Sequence, residues 1–274
     1  MTARVALDED FHVHSTFSDG ASTLAENVAA ARERGLRTLC LVDHVRQDTA
    51  WVPEFAAAVA RYRGQPGLRV LAGVETKILD TRGHLDLPAQ LDDSVDLVLV
   101  ADHRVPSPAG PVDPATSLRE IETGTTTAAQ LIEDLCRATA NALSPARCPR
   151  RPLLAHLFSV LPKVGLTEDD VPGPVLAELA WRIARSGALV EVNEKWSCPA
   201  PRTVAALATV GVPLVAGSDS HHCRDIGRYD SVAATVSEQE GRGVARTEER
   251  QARNERGCDE GRRRLGAARE RANQ

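Results

Sequence analysis

The feature that most constrains this chain is a change of hydrophobic period repeated along residues 1–235. Short β-rich runs alternate with longer segments of helical spacing. That alternation is the mark of parallel strands joined by helical crossovers. Strands are predicted at Asp10–His14, Thr38–Asp43, Arg69–Glu75, Leu97–Ala101, Leu153–His156, Ala188–Val192 and Leu214–Gly217. The first helix carries a capping box, Thr23 with Glu26 three residues on, and stops at Gly35. A second helix starts at Pro53, a residue tolerated in a first turn, and others span Thr126–Ala142, Pro174–Arg185 and Pro201–Val210. Seven such β/α units predict an α/β barrel one repeat short of the eightfold type. A doubly wound open sheet meets the same periodicity, which cannot tell a closed sheet from an open edge.

Composition removes several classes of function. No apolar stretch approaches the 18 or so residues of a membrane span, and the start, MTARVALDED, lacks the basic and apolar regions of a signal peptide. Six cysteines without a CxxC pair predict reduced thiols and a cytoplasmic protein. From Val236 to Gln274 the chain has no aromatic residue and few large aliphatic ones, so it cannot offset its ordering entropy by burial. The expected organisation is a barrel over 1–235 and a disordered or loosely helical tail over 236–274. The tail holds ten arginines against eight acidic residues within a total charge of −5, which leaves the body acidic and argues against nucleic acid as a partner.

The eight histidines carry the chemical signal. His12, His14, His44, His84, His103, His156, His221 and His222 all fall at the C-terminal end of a predicted strand or just beyond it. In parallel α/β folds those ends share one face, where active sites are built. Alternation along the first strand sends His12 and His14 to the same side, toward the barrel axis, with Phe11 and Val13 packing outward. The turn 15–20 can return the Asp19 carboxylate over the same mouth. Imidazoles mixed with the carboxylates of Glu75 and Asp219 suit borderline divalent metals, while Asp43 and Asp102, each directly before a histidine, suit either a supporting role behind a ligand or helix capping.

Taken together, HVHSTFSDG at 12–20, VDH at 42–44, GVE at 73–75 with His84 after it, DH at 102–103, AH at 155–156 and GSDSH at 217–221 resemble the PHP (polymerase and histidinol phosphatase) superfamily of metal-dependent phosphoesterases. The resemblance spans residues 10–227. It implies a distorted (β/α)7 barrel holding two or three divalent ions (Zn, Mn or Fe). It also implies a ligand set: His12, His14, Glu75 and Asp219 on one ion, Glu75 bridging to a second held by His103 and His156, and Asp19, His44, His84 and His221 on the third.

Such a centre predicts hydrolysis of a small phosphate monoester, with metal-activated water attacking phosphorus. Asp43 or His221 would supply a proton to the leaving oxygen. Arg46, Arg104, Lys163, Lys195 and Arg224 are the candidate substrate contacts, the two lysines standing out because the chain has only three. The partner expected is a small phosphorylated metabolite, histidinol phosphate being the obvious one by resemblance, and oligomerisation is left open. The competing readings are a phosphodiesterase or nuclease, an amidohydrolase-type enzyme, and a noncatalytic metal-stabilised binding module. Residues 104–125, rich in Pro, Ser, Thr and Gly, exceed an ordinary connection and point to a functional or mobile segment such as a lid.

Overall fold

Seven parallel strands build the core: β1 (Glu9–Val13), β2 (Thr38–His44), β3 (Arg69–Lys77), β4 (Leu97–Ala101), β7 (Arg151–Leu154), β8 (Leu189–Asn193) and β9 (Leu214–Gly217). A short antiparallel pair, β5 (Val105–Ser107) and β6 (Gly110–Val112), lies outside this sheet. A computed structural model describes residues 5–238, within which one compact unit runs to Ala233. The predicted tail therefore lies outside the described residues, apart from its first three positions. No helix among the described residues is long and apolar enough to cross a membrane.

The sheet order is β1-β2-β3-β4-β7-β8-β9, and its two edges meet. Beyond β9, the Ser220 amide donates to the His12 carbonyl at 3.2 Å and the His14 amide to the Ser220 carbonyl at 2.8 Å. Val13 and Ser220 thereby form a parallel bridge that closes the barrel at its C-terminal end. Closure rules out the doubly wound open sheet.

Alternation along the strands splits the apolar residues between two cores. Inside the barrel, Phe11, Cys40, Val42, Leu71, Leu97, Leu99, Ala101, Leu153, Ala155, Leu189 and Val215 pack together. Outside, Val13, Leu39, Leu41, Val70 and Ala72 pack under the first two helices, α1 (Leu24–Glu33) and α2 (Val52–Ala60). Phe11 corrects the expectation that it faces outward with Val13. The β1–β2 register shifts between Asp10 and Val13, and the irregularity breaks strict alternation there.

Helix boundaries follow local chemistry. The Thr23 hydroxyl accepts from the Glu26 amide, and the Glu26 carboxylate accepts from the Thr23 amide, which makes the expected capping box. The long connection after β4 carries its own structure: the β5–β6 hairpin, then α3 (Pro114–Glu122) capped by Asp113, then α4 (Ala128–Ala142). Strand β7 ends two residues before the predicted limit because His156 has φ of 30° and leaves the extended conformation. Two further helices are α5 (Gly173–Ser186) and α6 (Pro201–Thr209), each with a proline in its first turn. The cysteines at 40, 136, 148 and 198 are buried and that at 223 is partly so, all five free.

Under α2, Phe55 is fully buried between Phe17 and Trp51, with ring centroids at 5.3 and 5.8 Å. Phe55→Ala is expected to cost about 3–5 kcal/mol, which lowers the melting temperature by roughly 6–20 °C for a domain of this size. A thermal scan followed by circular dichroism checks this; a drop below about 2 °C would contradict the packing described.

Candidate metal centre

The inward rows that are apolar low in the barrel become polar at its C-terminal end. On β2 the inward series runs Cys40, Val42, His44; on β3, Leu71, Gly73, Glu75; on β4, Leu97, Leu99, Ala101 and then His103. On β8, Leu189 is followed by Glu191 and Asn193, and on β9, Val215 by Gly217 and then Asp219. The period of two that fills the interior with aliphatic side chains therefore delivers donor atoms at its mouth without breaking the pattern.

Glu75 stands at the centre, 1% exposed. Its Oε1 lies 3.0 Å from His156 Nε2 and 3.1 Å from His103 Nε2. Its Oε2 lies 2.9 Å from His44 Nδ1 and 3.4 Å from both His12 Nε2 and His14 Nε2. Asp219 Oδ1 is 3.4 Å from His14 Nε2 and 3.9 Å from His12 Nε2. The turn after β1 carries Asp19 across the mouth, with Oδ2 at 3.5 Å from His44 Nε2 and 3.4 Å from His221 Nε2. Three groups of side chains bring one donor atom each to within 4.8 Å of one another: His14, Asp19, His44 and His221; His12, His14 and Asp219; His44, Glu75 and His103.

The supporting contacts set the protons. Both oxygens of the buried Glu191 carboxylate face His12 Nδ1, at 3.0 and 3.2 Å, and Oε2 also accepts from the His156 amide at 2.8 Å. His12 thus carries its proton on Nδ1 and turns the Nε2 lone pair into the pocket. The Ser159 hydroxyl donates to Asp102 Oδ1 at 2.7 Å and meets His156 Nδ1 at 2.9 Å, which turns His156 Nε2 inward by the same logic. The Trp196 indole donates to Asp219 Oδ2 at 2.9 Å. Gly217 is required by Glu191, because a Cβ there would sit 1.8 Å from its Oε1.

This donor set fits divalent cations. His12 Nε2 and His14 Nε2 face each other at 3.0 Å, while Glu75 Oε2 and His14 Nδ1 are buried without a hydrogen bond among the described residues. Lone pairs converging at that range need positive charge between them. The electrostatics agree. Burial opposes charge on His156, yet Asp102 and Glu75 raise it to about 10. Burial likewise opposes charge on Glu75 and Asp219, and the surrounding histidines still hold both carboxyls well below their usual range. Asp219 and His156 also adopt positive φ, 52° and 30°, a cost of about 1–3 kcal/mol each that such sites sustain.

Other predicted residues fall elsewhere. Asp43 is fully buried and accepts from the amides and hydroxyls of both Ser15 and Ser18, so it anchors the turn that carries Asp19, and it lines neither cavity. His84 joins none of the three groups; its Nδ1 is 2.8 Å from Asp80 Oδ2, on the loop after β3. His221 lines the mouth, with Nδ1 3.0 Å from the Asp219 carbonyl. Arg46, Arg104 and Lys195 line a cavity of about 600 Å³ over the centre, where Arg104 pairs with Asp113 and Lys195 Nζ lies 3.4 Å from Asp219 Oδ1. Lys163 lines a neighbouring cavity, and Arg224 lines neither, its guanidinium 3.5 Å from Asp225. Sequence reading missed Glu191 and the indole of Trp196. A lone acid between valines at an inward position of β8 was the available signal.

Comparison with known proteins agrees with this architecture. Residues 10–139 match the PHP domain family model, a span from β1 into α4 that excludes His156, Asp219 and His221. A probable phosphatase of Aliivibrio fischeri is 27% identical over 238 residues, covering 84% of this chain and 85% of that protein. Another from Caldanaerobacter subterraneus is 24% identical over 246 residues, covering 84% and 82%. Among solved structures, histidinol phosphate phosphatase from Lactococcus lactis, in complex with zinc, L-histidinol and phosphate, superposes with a TM-score of 0.61 at 15% identity, covering 84% of this chain and 93% of that one. Inward imidazoles and carboxylates at the strand ends and a barrel of seven parallel strands thus accompany a match to the PHP domain family model over residues 10–139.

Proposed function

We propose that this chain is a metal-dependent phosphatase acting on a small phosphate monoester. The observation that carries the reading is the convergence of six imidazoles and the carboxylates of Asp19, Glu75 and Asp219 on one pocket, with Glu75 Oε2 and His14 Nδ1 buried without a hydrogen bond among the described residues. The curated relatives named as phosphatases support it, as does the zinc-containing histidinol phosphate phosphatase of similar fold.

His12, His14 and Asp219 would hold one ion, Glu75 with His103 and His156 a second, and Asp19 with His44 and His221 a third. When bound, such ions supply Lewis-acid charge to phosphoryl oxygens and lower the pKa of water toward neutrality. The chain's own contribution is orientation and charge. Glu191 and the Ser159–Asp102 pair lock His12 and His156 with their Nε2 atoms inward. Lys195, 44% exposed, presents its ammonium beside Asp219, where it can donate to a phosphoryl oxygen. His221 lies at the rim of the cavity; with only the first two ions held it is free to protonate the leaving oxygen, and as a ligand of the third it is not. Asp43 is buried against the serine loop and lines neither cavity, so His221 is the one of the two that stands beside the substrate space. The reading takes two or three ions per chain, with zinc, manganese and iron as the candidates.

Elemental analysis paired with phosphate release over a panel of phosphorylated metabolites tests the reading; retained metal with no turnover of any phosphoester points to a binding module instead. Glu191→Gln keeps size but weakens the acceptor that orients His12, so metal affinity and activity should fall by about 10–100-fold. His14→Ala and Asp219→Ala should fall further and lose bound metal, as measured by mass spectrometry; full metal content in both would remove the assignment. His84→Ala should leave metal content unchanged, because its imidazole joins none of the three donor groups.

A further inference from the structure

A second cavity, of about 410 Å³, adjoins the one over the metal centre and shares Lys195 and Trp196 with it. Phe158, Pro162 and Trp196 provide apolar walls. Trp196 is the partition: its indole nitrogen is fixed to Asp219 Oδ2 on one side, and its ring, 39% exposed, faces the neighbouring space. Two non-glycine residues lining this second space, Phe158 and Ser197, have φ of 74° and 51°. The fold therefore sustains strain at a place that holds no candidate ligand, as functional sites do.

The charge of this cavity is specific. Lys163 places its ammonium 4.1 Å from the Trp196 ring centre, and Lys195 lies 6.0 Å away from the same ring. Two of the chain's three lysines thus flank a single indole, in a protein whose basic residues are otherwise arginine. Among the described residues Lys163 has no carboxylate within ion-pair range. Of the two acids at the cavity, Glu168 is committed, accepting from the Ala200 amide at 2.7 Å and from the Thr203 hydroxyl, while Asp169 is exposed. The third lysine, Lys77, is neutralised by Asp86 at 2.8 Å. An unpaired ammonium beside a flat apolar wall suits a ligand that is itself flat, apolar and acidic.

We infer that this cavity receives the alcohol half of the substrate and selects phosphomonoesters whose organic part joins a flat apolar body to a second acidic group, a carboxylate or another phosphate. The inference rests on the phosphatase reading above and narrows it to a substrate class. The phosphoryl group would lie over the carboxylates and imidazoles, the ester oxygen beside Trp196, and the second acidic group against Lys163.

The test uses the full-length protein with its metal and three matched esters: 4-carboxyphenyl, 4-(hydroxymethyl)phenyl and 4-(aminomethyl)phenyl phosphate. The expected result is a kcat/KM about tenfold higher for the carboxylate than for the neutral ester, as one charge-assisted contact provides. That ratio should collapse toward one in Lys163→Met and reverse in favour of the amine in Lys163→Glu. Equal rates, or a preference for the amine by the unaltered protein, overturn the inference while leaving the phosphatase reading intact. A readout without turnover keeps the two separable. Saturation-transfer NMR should detect binding of 4-hydroxybenzoate in preference to tyramine, weakened in Lys163→Met; no such preference overturns the proposal even where none of the esters is hydrolysed.

Discussion

One buried carboxylate organises the mouth of this barrel. Glu75 sits at the inward end of β3 within 3.4 Å of nitrogen atoms from five histidines, and an anion so deep is tolerable only if positive charge surrounds it. The rest of the site is arranged around that demand. Histidines come from the ends of β1, β2, β4 and β7, and a second acid, Asp219, arrives beyond β9 from the opposite edge of the sheet. Barrel closure is what makes the arrangement possible. The bridge between Val13 and Ser220 brings the first and last strands side by side, so Asp219 reaches His12 and His14 although more than two hundred residues separate them.

Behind the ligating atoms lies a layer whose work is orientation. Glu191 serves two histidines, one through the ring and one through the backbone, and Gly217 leaves room for its carboxylate on the neighbouring strand. Asp43 performs the same office for the turn after β1, gathering the Ser15 and Ser18 donors so that Asp19 hangs over the pocket. An acid next to a histidine in sequence need not share its task. At the end of β2, consecutive side chains point to opposite faces, so His44 turns inward to Glu75 and Asp43 turns toward the serine loop.

Much of this was legible along the chain because parallel strands convert a local rule into a shared location. Each strand-end histidine reads independently as a candidate, and the (β/α) topology sends them all to one face whatever the details of packing. Strands β4 and β9 match their predicted limits, and the capping box at Thr23 forms as written. What failed to transfer was local. Phe11 turned inward because a register shift in β1 suspends the period of two. The long segment after β4 proved to hold a hairpin and a helix, since Pro114 following Asp113 is itself a helix start.

Sequence alone determined the repeat of strand and helix, the polar character of every strand end, and the donor types suited to borderline cations. Those properties depend on residues a few positions apart and on alternation, which the linear chain carries in full. Tertiary structure decided which ring nitrogen faces the pocket, that Glu191 rather than Asp43 stands behind a pocket histidine, and that Trp196 lines two cavities with two lysines near its ring. These follow from contacts across strands far apart in sequence, where a hydrogen bond of 3 Å or a clash at Gly217 selects one arrangement among many that the same residues permit.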